Sequence, residues 1–425
     1  MSTHLSVVFA GHVDSGKSTL SGQILYLCGE VDERSLEKAQ REAEAKGRAS
    51  WALAYALDVD DDEREKGKTV EVGHASFTTG SKRYTILDAP GHKGFVHHMI
   101  GGAAQADVAV LVISARRGEF ETGFDKGGQT REHTLLLKTA GIKHLIVAIN
   151  KMDDSTVEWN KDRYDDIVKR LTPFLRRSGF NTNNDVTFLP VSGLSGANVK
   201  ERVEDQWYSG PCLFEVLDQL EPPRRNIEGP LRIPISAKLR DRGSTIGIGK
   251  IESGSIKVGD KLKISPQNIS TEVSGLYIQD ESVDIAYSGD NVRVGLKGVA
   301  EDDFHLGSVI SGIDDPCAYT DLFDAHLVVL DVKNILAAGY QAVLHVHSLI
   351  IEVTVESILA EVNPKTKEII QKRPRFIKQG QHAAVRLRTS QPIAIEPFDK
   401  MKQLGRFVLR TEGINIGIGM VKRLK

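Results

Sequence analysis

One stretch near the beginning of the sequence has the residue types and the spacing of a phosphate-binding loop. The residues Gly11-His12-Val13-Asp14-Ser15-Gly16-Lys17-Ser18 match G-x-x-x-x-G-K-[ST], directly after an apolar run and directly before an amphipathic one. Backbone N–H groups of such a loop turn toward one anion, and the following helix adds its partial positive charge. We expect Lys17 to reach the β- and γ-phosphates and the Ser18 hydroxyl to bind Mg²⁺. The predicted nucleotide contacts here are Val13, Asp14, Ser15, Gly16, Lys17, Ser18 and Thr19.

A second motif, Asp88-Ala89-Pro90-Gly91, follows a predicted strand. Its carboxylate emerges at the carboxyl end of that strand, where sheets of this kind bind ligands, and we expect Asp88 to hold Mg²⁺ through water. The Gly91 backbone N–H can approach a γ-phosphate. His92 would lie beside that phosphate and orient the attacking water. D-x-x-G alone is a weak signal, because a strand-terminating turn has the same residues.

A third motif, Asn150-Lys151-Met152-Asp153, selects the base. Guanine presents N1–H and N2–H₂ side by side, and the Asp153 carboxylate can accept both, whereas adenine offers it an acceptor. We expect Asn150 to bridge base and loop, and the Lys151 stem to cover the ring. Ser192-Gly193-Leu194 follows another predicted strand and can donate backbone N–H groups to guanine O6. The sequence therefore predicts GTP and GDP as ligands.

Thr69 lies in the charged segment Glu65-Lys66-Gly67-Lys68-Thr69-Val70. A threonine there can complete Mg²⁺ coordination when a γ-phosphate orders the segment. From composition alone, a solvated linker threonine is equally compatible. The predicted metal ligands are Ser18, Thr69 and Asp88, and the predicted catalytic residues are His92, Lys17 and Thr69.

The composition excludes several classes of protein. A chain of 425 residues is too long for one hydrophobic core, and 40% hydrophobic with 26% charged residues is typical of globular domains. The net charge of −2 gives no global attraction to nucleic acid or membrane, so neither DNA nor a membrane is an expected partner. The three cysteines are too few for a disulfide framework. Since no apolar run approaches membrane-spanning length and no signal peptide is evident, we predict a cytoplasmic protein.

Two pairs of histidines, His97 with His98 and His345 with His347, could suggest a metal site. Neither pair has enough further ligands at zinc spacing. We expect surface or packing roles for them.

Short apolar runs alternate with helical patterns up to about residue 221, which predicts a doubly wound, mainly parallel α/β sheet. The predicted strands are Leu5–Ala10, Tyr84–Leu87, Val108–Ile113, His144–Ile149 and Thr187–Val191. The predicted helices include Ser18–Cys28 and Arg163–Arg177, with Pro173 as a kink or boundary. After the proline-rich connector near residue 222, glycine-punctuated alternation predicts two antiparallel β-barrels. We place the three domains at residues 1–221, 228–315 and 321–425.

In this order, the motifs and barrels resemble the translational GTPases of the elongation factor one-alpha superfamily. Within that family the sequence is most similar to the release-factor GTPases of eukaryotes, and Lys68 stands where an elongation factor normally has isoleucine. The resemblance implies that Lys17, Ser18, Thr69, Asp88 and His92 perform the triphosphate chemistry. It also implies that the last barrel holds a protein partner, with Gly405, Arg406, Phe407 and Arg410 as contacts. The stretches that carry the resemblance include Lys66 to Gly73, Ile100 to Asp107, Gly118 to Phe124, Gly127 to His133, Arg373 to Phe376 and Gly405 to Arg410.

Three departures from the family pattern stand out. Ser15 replaces an alanine, and His97-His98 replaces proline and asparagine. The sequence also starts directly at the GTPase region, without the long N-terminal extension typical of these release factors, and whether this start is natural stays open.

The resemblance implies a GTP-hydrolysing switch that works with the stop-codon decoding release factor on the ribosome and is monomeric when free. A rescue GTPase that partners the paralogue of the decoding factor is the nearest alternative, and an aminoacyl-tRNA carrier is a second. A nucleotide-dependent binding module with little catalysis is a third, which His92 argues against.

Overall fold

The computed structural model describes residues 3–31, 34, 37, 40–41, 53, 73–90, 96–125, 128–204, 207–223, 225–241, 244–278, 281–330, 332, 335–364, 366 and 368–425. The chain forms two compact units, Met1–Pro223 and Arg224–Lys425. The predicted site residues Thr69, Gly91 and His92 lie outside the described residues.

The first unit contains a six-stranded sheet in the order β2-β3-β1-β4-β5-β6. β2 is antiparallel to β3, and all other neighbours are parallel. This confirms the predicted doubly wound, mainly parallel α/β sheet. The strands are β1 (Thr3–Ala10), β2 (Gly73–Thr78), β3 (Lys82–Asp88), β4 (Val108–Ser114), β5 (His144–Asn150) and β6 (Val186–Pro190). The helices are α1 (Lys17–Cys28), α2 (Val96–Gln105), α3 (Glu119–Phe124), α4 (Gln129–Ala140), α5 (Lys161–Arg177) and α6 (Leu213–Gln219).

Parallel register brings the ends of the strands to one edge of this sheet. Every residue of β4 is buried, which explains its continuous apolar sequence. Phe9 pairs with Asp88 and Ser114 pairs with Asn150, so the residues that follow β1, β3, β4 and β5 meet at the carboxyl edge. Ligands of such sheets bind at this edge.

Pro173 lies inside α5 and does not end it. The helix begins at the cap Asn160, whose side chain accepts from the Arg163 N–H at 2.9 Å. Ile167, Leu171 and Leu175 are buried along one face, whereas Pro173 is exposed. Packing of that face outweighs the backbone hydrogen bond that proline removes. The alternative that Pro173 marks a helix boundary is therefore wrong.

The second unit begins with a closed six-stranded antiparallel barrel in the order β10-β15-β7-β8-β14-β11, in which β11 pairs back to β10. The short strand β12 pairs antiparallel with the end of β11, and β9 pairs with β13. The strands are β7 (Arg232–Asp241), β8 (Ser244–Lys250), β9 (Ser255–Lys257), β10 (Lys261–Ser265), β11 (Ile269–Ile278), β12 (Glu281–Ser282), β13 (Ile285–Tyr287), β14 (Asn291–Leu296) and β15 (Val309–Gly312).

A second closed barrel follows, in the order β18-β23-β24-β16-β22-β19, and β19 pairs back to β18. β24 pairs with β16 on one side and with β23 on the other. Closure removes the free edges that an open sheet would expose. The strands are β16 (Tyr319–Val329), β17 (Leu336–Ala337), β18 (Gln341–Val346), β19 (Leu349–Val362), β20 (Ile369–Lys372), β21 (Phe376–Ile377), β22 (His382–Ala394), β23 (Arg406–Thr411) and β24 (Ile414–Leu424). The two predicted barrels are thus confirmed.

Polar contacts join the two barrels within the second unit. The Arg232 guanidinium donates to Glu396 at 2.8 Å, and neither side chain is exposed. The Ser348 hydroxyl donates to the Ile235 carbonyl at 2.7 Å. A buried ion pair has strict geometry, so it fixes how β7 meets the segment after β22.

Among the described residues, each helix is either too short or too polar to reach across a lipid bilayer.

Candidate functional site

The loop between β1 and α1 has the backbone of an anion cradle. Gly16 caps α1 in the left-handed conformation (φ 88°), and no side chain caps the helix N-terminus. A Cβ on Gly16 would lie 2.4 Å from Asn150 Nδ2, so a side chain is excluded there. Asp14 is exposed and also left-handed (φ 61°). The uncapped N–H groups of α1, beside Ser18 and Thr19 in its first turn, therefore face the position that a phosphate would occupy.

Lys17 is buried at the start of α1. Its ammonium donates to the His12 carbonyl oxygen at 2.9 Å across the loop. Burial lowers the pKa of Lys17 to about 8, and the attraction of Asp88 and Asp14 compensates only partly. A buried cation at this position is poorly solvated, so it gains strongly from an incoming anion.

Asp88 ends β3 directly beside β1, and it is 2% exposed. The Asp88 carboxylate attracts the Lys17 ammonium and partly offsets the lowering of the Lys17 pKa by burial. Carboxylate and hydroxyl oxygens are the donors that Mg²⁺ prefers. Asp88 and Ser18 therefore form a donor set that fits this cation.

Asn150 joins two loops at the end of β5. Its Nδ2 donates to the Ser15 carbonyl at 2.9 Å, and its Oδ1 accepts from the Gly193 N–H at 2.8 Å. Asn150 is 2% exposed, so both bonds are shielded from water. Asn150 therefore links the phosphate loop to the 192–194 loop, and its contact with the base stays a prediction.

Asp153 is exposed, and no described residue forms a hydrogen bond or an ion pair with its carboxylate. Lys151, two residues earlier, is left-handed (φ 63°) and pairs with Glu119 at 2.8 Å. The Asp153 carboxylate is thus available to a ligand.

The 192–194 loop has fewer spare donors than the sequence indicated. The Ser192 N–H donates to the Ala197 carbonyl at 3.0 Å, and the Gly193 N–H is used by Asn150. Only the Leu194 N–H, of these three, donates to no described residue. A base oxygen at this loop would therefore be bound by Leu194.

Two residues that the motif analysis missed hold the phosphate loop from α4. The Gln129 side chain accepts from the Val13 N–H at 3.3 Å, and His133 Nδ1 accepts from the Gly11 N–H at 3.1 Å. Both side chains are buried. Their spacing of four residues on one helix face was the available signal.

A cavity of about 330 Å³ separates the phosphate loop from α3 and the end of β4. Ser15 lines it, is 1% exposed, and its hydroxyl has no hydrogen-bond partner among the described residues. The hydroxyl that Ser15 adds in place of the family's alanine is therefore a buried group at the cavity wall.

Most of the predicted partner contacts are buried in the second barrel. Phe407 is 1% exposed and packs edge-on against Phe323, with ring centroids 5.9 Å apart. Gly405 is buried, and Arg410 is 6% exposed and donates to the Gly413 carbonyl. Arg406 is partly buried over the Phe398 ring. The prediction of direct contact by Gly405, Phe407 and Arg410 is corrected, because all three residues are buried and Phe407 belongs to the core of the barrel.

The histidine pairs differ in setting. His347 follows β18 in a turn (φ 40°), and its Nε2 lies 3.0 Å from the Ala394 carbonyl. Burial lowers the pKa of His347 to about 4. His345 is buried on β18, and His97 and His98 lie on α2. Among the described residues, no group of metal-ligating side chains is assembled.

A phosphate loop, an acidic strand end and an N-K-x-D loop at the carboxyl edge of this sheet define a guanine-nucleotide-binding protein of the P-loop class. The family model described as the elongation factor Tu GTP binding domain matches residues 2–223, more than half of the chain. The chain belongs to this elongation factor Tu family. Further models match the barrels: elongation factor Tu domain 2 at residues 244–311 and the GTP-eEF1A C-terminal domain-like model at residues 322–422.

Curated relatives include release-factor subunits of fungi. The eukaryotic peptide chain release factor GTP-binding subunit of Kluyveromyces lactis is 47% identical over 425 residues, which is 99% of this chain and 61% of the relative. The protein of the same name from Schizosaccharomyces pombe is 45% identical over 99% of this chain and 64% of its own length. The chain therefore spans about three fifths of the length of these relatives.

A solved structure supports the fold. The GTPase-like domain of S. cerevisiae Ski7, bound to GDP and inorganic phosphate, matches with a TM-score of 0.81 and 21% identity. The match covers 99% of this chain and 97% of that one.

Proposed function

We propose that this chain is a GTP-hydrolysing translation termination factor, which works with the stop-codon decoding release factor on the ribosome to promote polypeptide release. The observation that carries this proposal is 45–47% identity to release-factor GTP-binding subunits over 99% of the chain. Membership of the elongation factor Tu family supports the binding and hydrolysis of GTP, because residues 2–223 match the GTP binding domain of that family.

The carboxyl edge of the sheet binds GTP or GDP. The exposed Asp153 carboxylate accepts guanine N1–H and N2–H₂, and Lys151 covers the ring. Asn150 fixes the phosphate loop and the 192–194 loop relative to each other, since it hydrogen-bonds both. Asn150 thereby couples the position of the loop that binds the base to the position of the loop that binds the phosphates.

Ser18 and Asp88 are the described residues that hold Mg²⁺, and Thr69 is the proposed third group. The cation supplies charge neutralisation for the β- and γ-phosphates. Asp88 is well placed for this, because it is buried at the end of β3 and is fixed beside β1 by the parallel register.

Hydrolysis depends on Lys17 and on two residues outside the described part. Lys17 donates to the γ-phosphate and neutralises charge that develops there. His92 orients the attacking water, and Thr69 leaves the site when the γ-phosphate departs. These movements form the switch that reports the nucleotide state to the ribosome.

The second barrel carries the surface that binds the release factor, and Arg406 contributes to this surface directly. The free protein is a monomer. The site of action is the cytoplasm, where ribosomes work. The three cysteines are free thiols, in agreement with a reducing compartment.

Competitive retention tests the proposed partner. The chain, loaded with a non-hydrolysable GTP analogue, is immobilised and offered the decoding release factor, its rescue paralogue and aminoacyl-tRNA in equal amounts. We expect selective retention of the decoding factor, and weaker retention when GDP replaces the analogue. Selective retention of the paralogue would assign ribosome rescue instead, and selective retention of the tRNA would assign an elongation role.

Single-turnover hydrolysis of GTP, with and without ribosomes and decoding factor, tests the enzyme activity. We expect stimulation by ribosomes, and we expect His92→Ala to slow hydrolysis by about 10²-fold or more while GTP binding is retained. Hydrolysis by the variant at the parent rate would remove His92 from the mechanism. Binding without hydrolysis in the parent would make the chain a nucleotide-dependent binding module.

A further inference from the structure

Two ion pairs connect the start of α3 to the proposed guanine-binding loop. Lys151 Nζ lies 2.8 Å from Glu119 Oε2, and Arg116 Nε pairs with Asp154 Oδ2. Arg116 Nη1 also lies 3.1 Å from Glu119 Oε1, so one continuous network is formed. Arg116 and Glu119, here called the guanine-loop brace, thus hold the loop on both sides of Asp153.

The brace is itself held by the end of β4. The Ser114 hydroxyl donates to Glu119 Oε2 at 2.7 Å and accepts from the Arg116 N–H at 3.2 Å. Ser114 is 5% exposed. Because β4 and β5 pair up to Ser114 and Asn150, the brace and the loop share one rigid base.

The surroundings of Glu119 and Asp154 favour the ionised form of both carboxyl groups. Partial burial would raise the pKa of Glu119, but hydrogen bonds from Lys151 and Ser114 bring it below its ordinary value. Hydrogen bonds from Thr156, with the pairing to Arg116, lower the pKa of Asp154 to about 2. Both carboxylates are therefore charged at neutral pH.

We propose that Arg116 and Glu119 are positioning residues for guanine recognition, which set the rate of nucleotide release and the discrimination between guanine and related bases. This inference rests on the proposed function, since it assigns Asp153 and Lys151 to the base. Lys151 takes a left-handed backbone, and its Cε lies 3.9 Å from the position that a Cβ at residue 16 would occupy. Glu119 holds the Lys151 ammonium at the far end, so the stem stays beside the phosphate loop. Arg116 fixes Asp154, the direct neighbour of Asp153.

A matched control lies on the same helix. Glu121 pairs with Arg163 at 3.0 Å and accepts from the Gly118 N–H, and among the described residues none of its partners belongs to the guanine-binding loop. Glu121→Gln removes a similar charge from α3 and removes no side-chain contact of the brace, which its partner Arg163 meets only at the Arg116 backbone carbonyl. A purely structural role of α3 would make Glu119→Gln and Glu121→Gln equivalent.

The experiment measures dissociation of fluorescent GDP from the full chain, together with the affinity ratio of GDP to IDP, which lacks the 2-amino group. Glu119→Gln should accelerate GDP release about threefold to tenfold, as expected for loss of one pair within a network. The GDP to IDP ratio should fall by a similar factor. Arg116→Met, which changes an exposed side chain, should act in the same direction. Glu121→Gln should stay within about twofold of the parent.

A double-mutant cycle identifies the partner. In a Lys151→Met background, Glu119→Gln should change GDP release by less than about twofold, because the ion pair with Lys151 is already lost and only the contact with the exposed Arg116 side chain remains. Equal release and equal base ratios in the parent, Glu119→Gln and Arg116→Met would overturn the brace while leaving guanine-nucleotide binding intact. Failure of the parent to bind GDP would instead overturn the proposed function.

Discussion

Arg232 and Glu396 form an ion pair 2.8 Å long between the two barrels, and water reaches neither side chain. Arg232 donates further to the Leu231 and Asp315 carbonyls. The pair is the most deeply buried charge contact described in the second unit, and its loss has a definite energetic consequence.

Removal of one partner should be much worse than removal of both. Arg232→Met leaves the buried Glu396 carboxylate with the half-exposed Lys400 as its remaining described ion-pair partner, and we expect a loss of about 3–5 kcal/mol of unfolding free energy. The double variant Arg232→Met with Glu396→Leu should recover at least about half of that loss. Chemical denaturation of the three proteins provides the comparison, and a double variant as unstable as Arg232→Met would contradict the charge-burial explanation.

Lys17→Met should stabilise the nucleotide-free chain while nucleotide binding is lost. The decrease of the Lys17 pKa from 10.5 to about 8 corresponds to roughly 3 kcal/mol of destabilisation below pH 8. Between about pH 8 and 10.5 the unfolded chain binds more protons than the folded chain, so parent stability rises and the gap to the variant narrows. Urea unfolding at pH 7 and pH 9.5 measures this gap. Lys143→Met, which changes an exposed side chain, serves as the control. An equal difference in unfolding free energy between Lys17→Met and the parent at both pH values would contradict the lowered pKa of Lys17.

Asp153→Asn should reverse the base preference. The Asp153 carboxylate accepts two hydrogen bonds from guanine, whereas the asparagine amide N–H can donate a hydrogen bond to the additional oxygen of xanthine. We expect GTP affinity to fall by about 10-fold or more and XTP affinity to increase. Competition binding with both nucleotides measures the ratio. If the variant kept the parent preference, the base would have to bind elsewhere.

His347→Asn should make the second unit less sensitive to acid. The folded pKa of about 4 lies below the ordinary value of 6.5, so the parent loses stability as pH falls from about 6.5 toward 4. By pH 5 the parent should have lost about 2 kcal/mol relative to the variant. Asparagine tolerates the left-handed backbone of this turn. Thermal unfolding at pH 7 and pH 5, with the exposed His305→Asn as control, tests this, and identical acid sensitivity of parent and His347→Asn would contradict it.

The sequence predicted the parts of the site that lie close together along the chain. In the segment from Gly11 to Ser18, both glycines take a backbone conformation with positive φ that other residues rarely adopt. The spacing of these glycines therefore predicts the loop and the start of the helix that follows it. Strand ends such as Asp88 and Asn150 were predictable because buried parallel strands have continuous apolar sequences.

The contacts between distant segments were not predictable. Glu119 meets Lys151 because β4 and β5 are neighbours, and Gln129 reaches Val13 because α4 packs beside the loop. A glutamate in a charged stretch has many possible partners, and only the fold selects one. Phe407 illustrates the opposite error, because a family motif on a strand does not reveal which of its side chains face inward.

The position of β24 in the chain governs how the second barrel can assemble. This strand pairs with both β16 and β23, yet it follows every other strand of the barrel in sequence. Until residues 414–424 have been synthesised, β16 and β23 expose unpaired edges that can pair with other chains. Closure also joins segments about ninety residues apart, which slows folding. The pairing of this last strand is therefore the step of barrel assembly most exposed to misassembly.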